Sequence, residues 1–232
     1  MAMAALMDII TMTMRGMSIK MASIHHDMMI LQNWFSPSFP TGAFSYSHGL
    51  ETAIQKELVT NSESLCHWID GVLSFGTGRN DGLFVKAGFE GEEKANDLCL
   101  ALSASKERWQ ESMELGNAFS RVFNDSYEKV LPDGLAYPVA VGMAAKRIGL
   151  RVELTIQSYL QAFAANLIAV GVRIIPIGQQ AGQDCLLQLY PTIEKVLQDV
   201  IAHNLDHIGG AAMMSDIMAM QHETSSPRIF RT

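Results

Sequence analysis

The chain has 232 residues, 48% of them apolar and only 18% charged, with a formal net charge of −7. That length suits one domain, or at most two, at about 150 residues per domain. An acidic balance excludes a phosphate-backbone binder, because nucleic-acid affinity rests on Lys and Arg neutralising phosphates, and the low charged fraction points to apolar surface that meets another protein.

Residues 1–23 carry seven methionines between Met1 and Met21 without periodicity. No basic segment precedes the apolar patch Ala4 to Ile10, and Asp8 interrupts it, which argues against a secretory signal. These residues read as a disordered leader from an early-assigned start codon, and residues 24–232 as a single all-α domain, a bundle of about ten helices. Met28, Leu31 and Phe35 recur at helical spacing in a first helix with Asp27 near its start.

The stretch from Trp34 to Glu51 is the most tightly specified piece of backbone. Pro37 and Pro40 fix their own φ and push Ser36 and Phe39 toward extended conformations, while Gly42 and Gly49 allow positive φ. Phe35, Phe39, Phe44 and Tyr46 are spaced along it. Two readings stay open: a buried turn whose aromatics plug the core, or a stiff loop that a partner grips at little entropic cost.

A second helix is expected over Leu50 to Leu58, with Leu50, Ile54 and Leu58 on one face. Thr60 and Glu63 fit a capping box, and a third helix follows with Leu65, Trp68, Ile69, Val72 and Leu73 inward. Gly76 to Gly82 looks like a phosphate loop but lacks the Gly-Lys-Ser/Thr ending that holds phosphate and magnesium; a glycine-loosened helix junction is expected. Residues 81–103 read as two helices around Gly91. Lys106 to Asn124 reads as a longer one with Trp109, Met113, Gly116, Phe119 and Phe123 inward, Gly116 admitting a neighbour at close range.

Asn124 to Ala136 is a loop, and Pro138 opens a short helix to Ile148. Glu153 to Ile175, apolar almost all round, is expected to be surrounded by the others. Its apolar run from Phe163 to Val172 is too short, and too interrupted by Asn166 and then Arg173, to span a bilayer, which needs about 20 apolar residues, and a soluble, cytoplasmic protein with no membrane partner is expected. Arg173 either caps its own helix end or pairs with a carboxylate such as Glu51. After Pro176 the next helix starts near Ala181 and runs to about His207. His203 and His207 lie four apart and could share a metal in a helical metal-dependent hydrolase, although no third ligand is fixed by the sequence.

A last helix, Met213 to Gln221, precedes a tail in which Arg228 and Arg231 flank Ile229 and Phe230, residue types that dominate binding hot spots. The tail either docks on its own chain or on a partner. The cysteines, Cys66, Cys99 and Cys185, are odd in number, with no Cys-x-x-Cys pair, which suits free thiols in a reducing compartment rather than structural zinc. No Ser/His/Asp arrangement, His-Glu-x-x-His helix, dinucleotide fingerprint or clustered carboxylate pair is visible, which favours an interaction protein over an enzyme and calls for no cofactor.

Three motifs resemble the UreF family of urease accessory proteins: Ser36 to Glu51, Arg173 to Gln179 with Gly182 and Gln183, and Met220 to Thr224 with Arg228 to Arg231. Tyr137 to Gly142 is a weaker fourth. The resemblance implies an all-helical homodimer that bridges UreD (also called UreH) and the GTPase UreG, delivering nickel to the urease apoprotein without binding nucleotide itself. It puts Pro40, Gly42, Phe44, Ser45, Tyr46, Ser47, Gly49, Glu51, Arg173, Pro176, Gly178 and Gln179 on the UreG and dimer side. It assigns His222, Glu223, Thr224, Arg228, Ile229, Phe230 and Arg231 to a tail that orders against UreD. Pro227 and Gln221 depart from the family's usual tail, which implies a reshaped contact there.

Overall fold

A computed structural model describes residues 24–232; the leader assigned to residues 1–23 lies outside them. Among the described residues there are ten α-helices, two short 3-10 turns and no strand. The helices are α1 (24–34), α2 (Leu50–Gln55), α3 (Ser62–Phe75), α4 (Thr77–Glu90), α5 (Ala95–Ala101), α6 (Lys106–Tyr127), α7 (Tyr137–Ile148), α8 (Val152–Ile174), α9 (Gly178–Ala202) and α10 (Met213–His222). The all-α bundle expected from apolar periodicity is therefore the fold.

Helix α8 lies at the centre, against α2, α3, α4, α7 and α9. It is not enclosed on every side. Glu153, Gln161, Ala169 and Arg173 form an exposed stripe along it, and the polar residues Gln157, Gln161 and Asn166 are exposed or half-buried, within reach of water. Helices α4 and α7 pack backbone to backbone: a Cβ at Gly142 would stand 2.0 Å from the Val85 carbonyl oxygen. At Gly116 the equivalent atom would stand 1.9 Å from the Leu135 carbonyl, which is the close approach expected there.

Several boundaries differ from expectation for identifiable reasons. Helix α2 stops at Gln55 because Glu57 turns the chain at φ 59°, leaving Leu58 exposed and putting Val59 into the core. The cap of α3 is made by Asn61 and Ser64, not Thr60 and Glu63: Ser64 N–H donates to Asn61 Oδ1 at 2.9 Å, and Asn61 N–H donates to Ser64 Oγ at 3.1 Å. Asn is among the strongest N-caps, and Ser at the third helical position can reach back as Glu would. The glycines after Gly76 do not loosen a junction; Gly78 and Gly82 lie inside α4 and are buried. On α6 Gly116, Phe119 and Phe123 are buried as expected, whereas Trp109 is 44% exposed and Glu111 faces inward at the start of the helix.

Helix α9 begins at Gly178, earlier than Ala181, and ends at Ala202. Its last carbonyls are taken by Lys86, whose Nζ donates to Ile201 O at 2.9 Å and His203 O at 2.6 Å. Arg79 secures the same end through Asp199 at 2.6 Å. A cation at a helix C-terminus satisfies orphan carbonyls and opposes the helix dipole. The helix therefore does not continue through His207, which sits in the 3-10 turn Leu205–His207.

Candidate functional site

The loop after α1 is pinned from inside. Trp34 packs edge-on against Phe119, Phe123 and Tyr127, and Phe39 packs on Phe119 at 5.5 Å. Phe39 plugs the core as the first reading of the loop expects, while Phe44 is 45% exposed. Gly42 and Gly49 take φ 81° and 77°, and a Cβ at Gly49 would stand 2.5 Å from Ala219 N, so α10 lies directly on the loop.

The tail docks on this loop in the isolated chain. The buried Glu51 carboxylate accepts the N–H of Ile229 at 2.8 Å and of Phe230 at 2.9 Å. Arg231 N–H donates to Ser45 O at 2.8 Å and Ser47 N–H to Thr232 O at 2.9 Å, a short stretch of backbone pairing. The Arg231 guanidinium donates to Tyr46 Oη at 3.1 Å and Glu114 Oε1 at 3.0 Å and lies over the Tyr46 ring. Burial, then the bond to Glu114, pushes the Tyr46 phenol up, keeping it a neutral donor.

His222 is fully buried with one carboxylate at each ring nitrogen: Glu107 at 2.7 Å from Nδ1 and Glu51 at 3.3 Å from Nε2. Arg228 pairs with the same Glu107. Carboxylates that looked scattered in the sequence are thus clustered in space. Arg173 does not pair with Glu51, whose oxygens are taken by His222 and the tail backbone; its guanidinium lies over the Phe230 ring at 5.6 Å.

The structure therefore brings Ser45, Tyr46, Ser47, Glu51 and Arg173 together with His222, Arg228, Ile229, Phe230 and Arg231. Pro40, Gly42, Pro176, Gly178 and Gln179 are exposed and have no hydrogen bond to the tail among the described residues. Glu223 accepts from Lys106 N–H at 2.7 Å, and Thr224 donates to Gln221 O within its own turn.

Sequence reasoning missed the α6 face that receives the tail. Glu107, Glu111 and Glu114 recur at i, i+4, i+7, a helical period of charge rather than of apolar residues. Thr232 Oγ1 donates to Glu111 at 3.0 Å, and Arg108 and His48 contact the same carboxylate. Burial would raise Glu111, but the charges of Arg108 and His48 outweigh it and hold the carboxyl at about 2. Burial, then the Arg108 charge, lowers His48. Behind this network a cavity of about 270 Å³ is walled by Trp34, Phe44, Tyr159 and Phe163, with Asp81 and Arg108 at its polar side. Burial pushes Asp81 up to about 6, against the opposing pull of Arg108 and the Tyr159 hydroxyl at 2.7 Å.

The proposed metal pair fares differently. His203 and His207 are off the helix, though their rings lie 4.5 Å apart; His203 Nδ1 is engaged with Asp199 and His207 Nδ1 with Asn204. Among the described residues no three His, Cys, Asp or Glu side chains are grouped to hold a metal ion, so the hydrolase reading loses the helical spacing on which it rested and gains no third ligand. No described helix is long and apolar enough to cross a membrane.

Comparison with known proteins agrees with the motifs. The UreF family model matches residues 59–190, more than half of the chain. The urease accessory protein UreF of Ruegeria pomeroyi is 40% identical over 210 residues, covering 88% of this chain and 96% of that relative. The UreF of Cereibacter sphaeroides strain KD131 is 43% identical over 207 residues, 88% of this chain and 98% of the relative. That of Jannaschia sp. is 36% identical over 210 residues, 88% and 94% respectively. With its helical body and nearly the full length of these relatives accounted for, the chain belongs to the UreF family of urease accessory proteins.

Proposed function

We propose that this protein is a non-enzymatic scaffold for nickel insertion into urease, bridging UreD (UreH) and the GTPase UreG as a homodimer and presenting them to the urease apoprotein. Nickel is cargo in this reading, not a resident cofactor. The observation that carries it is the junction of loop and tail. The two segments that the family resemblance directs to different partners share Glu51, Tyr46 and Arg231. A partner that grips one of them acts on the geometry of the other.

The surface beside this junction supports the same reading. Phe44, Ile229, and Met213, Ile217 and Met220 on α10 are each at least 40% exposed. Met213, Ile217 and Met220 follow helical spacing and form an apolar stripe on a short helix, a surface suited to a protein partner. Phe44 and Ile229 extend it at loop and tail.

The test is co-purification of UreD and UreG with the full chain and with a chain lacking His222 to Thr232, alongside the nickel content of co-expressed urease. Loss of UreD and of nickel loading on deletion is expected. Full retention of UreD by the shortened chain would remove the tail from the interface.

A further inference from the structure

The cavity of about 270 Å³ behind the loop is walled from four sides: by the loop itself, by α4, by α6 and α8, and by the start of α10. Its polar groups are incompletely paired. Arg108, whose side chain is only 12% exposed, spends Nη1 on Glu111 and on His48 Nε2 at 3.2 Å. Its other two nitrogens, Nε and Nη2, have no acceptor among the described residues, and since neither is sealed from water, both open to the cavity that Arg108 lines. Together they form one edge of the guanidinium, the edge that takes a carboxylate through two parallel hydrogen bonds.

Two carboxylates line the same cavity without a cation of their own. Asp81 on α4 receives the Tyr159 hydroxyl on Oδ2 at 2.7 Å, and its Oδ1 has no partner among the described residues. Asp216 on α10 is half-buried, and its side chain makes no hydrogen bond or ion pair there. Burial raises both carboxyls, the mark of charge held without compensation. The remaining wall is apolar, with Trp34, Phe35, Phe84 and Phe163 prominent in it. At about 30 Å³ per water the space takes about nine waters, so a ligand of about nine non-hydrogen atoms fits.

This combination selects against simple ions. Glu111 already answers Arg108, so Asp81 and Asp216 leave the cavity negative and a plain anion is disfavoured. A plain cation would leave the open guanidinium edge unpaired, and no three His, Cys, Asp or Glu side chains are grouped for a metal among the described residues. A molecule with both charges satisfies both edges. We propose that the cavity is a binding site for a free α-amino acid with an apolar side chain, its carboxylate on Arg108, its ammonium facing Asp81 and Asp216, and its side chain against the aromatic wall. Binding is non-covalent, and the site stands independently of the scaffold reading because it is measured on this chain alone.

The experiment is isothermal titration calorimetry of the full chain at pH 7.5 with L-leucine, glycine, leucinamide and 4-methylpentanoate. One leucine per chain is expected, with glycine at least about tenfold weaker for want of apolar burial. Leucinamide, which lacks the carboxylate, and 4-methylpentanoate, which lacks the ammonium, should each be weaker by at least about tenfold. In Asp216→Asn and Asp81→Asn the affinity for leucine should fall, while that for 4-methylpentanoate should not, since only the ammonium has lost its partner. No saturable heat with leucine up to about 10 mM would overturn the proposal. Leucinamide binding as tightly as leucine would also overturn it, by making the cavity a plain cation site, and 4-methylpentanoate binding as tightly would do so by making it an anion site. Should a variant misfold, the four ligands on the parent chain still decide.

Discussion

Glu51 and Phe230 stand 179 residues apart, and the carboxylate of one accepts the backbone N–H of the other at 2.9 Å inside the protein. The second carboxylate oxygen takes Ile229 N–H, so a single side chain holds the tail by its backbone rather than by its side chains. Charge-assisted bonds of this kind are worth about 1.5–3 kcal/mol each, and losing one partner strands a buried group. Glu51→Gln turns an acceptor into an NH₂ facing an N–H donor or His222. The expected outcome is a loss of about 2–4 kcal/mol in urea unfolding, together with faster amide exchange over residues 228–232. Unchanged exchange there would mean that Glu51 is not what holds the tail.

Arg231 makes the complementary case, because its side chain is 54% exposed. Its fork spans Tyr46 and Glu114, a geometry that the point charge of lysine does not reproduce. Arg231→Lys should alter stability by less than about 1 kcal/mol, as exposed ion pairs do. Co-purification of UreD should nevertheless fall, since the variant loosens the tail where it meets the loop. A pull-down that matches the parent protein would separate Arg231 from partner docking.

Apolar period was enough to read α3 from the sequence, because its buried face repeats at helical spacing, while Pro138 at a first turn marked α7 and near-continuous apolarity marked α8 without showing its exposed stripe. The tail's motif was also legible, but not its seat. That seat is a row of carboxylates on α6, and a periodic search for apolar residues passes over Glu107, Glu111 and Glu114 and settles on Trp109, which faces solvent. The end of α9 was hidden for another reason. It is set by Lys86 and Arg79 from α4, more than a hundred residues earlier, and local sequence holds no trace of such a cap.

Two glycines should separate close packing from helix propensity. Gly116 has the Leu135 carbonyl where a methyl group would go, so Gly116→Ala must push the segment after Leu131 off α6. A loss of about 1–3 kcal/mol or more is expected. Gly71, in the interior of α3, has nothing within 4 Å of its would-be Cβ. Gly71→Ala should therefore gain up to about 1 kcal/mol. Thermal melts of the two variants should move in opposite directions.

The buried carboxyls on either side of Arg108 should give stability two pH limbs of opposite sign. Glu111 is held at about 2 against an ordinary 4.5, so it favours the folded state fully above about 4.5 and that contribution is lost as pH falls toward 2. Asp81 is pushed up to about 6 from 3.8; the fold prefers it protonated, and the cost of ionising it grows as pH rises from about 4 to 6 and is complete above. Two pKa units correspond to about 3 kcal/mol. Asp81→Asn keeps an oxygen for the Tyr159 hydroxyl while removing the charge, so it should raise the urea midpoint at pH 7.5 by up to about that amount and leave it nearly unchanged at pH 4. A variant equally stabilised at both pH values would show that packing, not ionisation, is what the substitution changed.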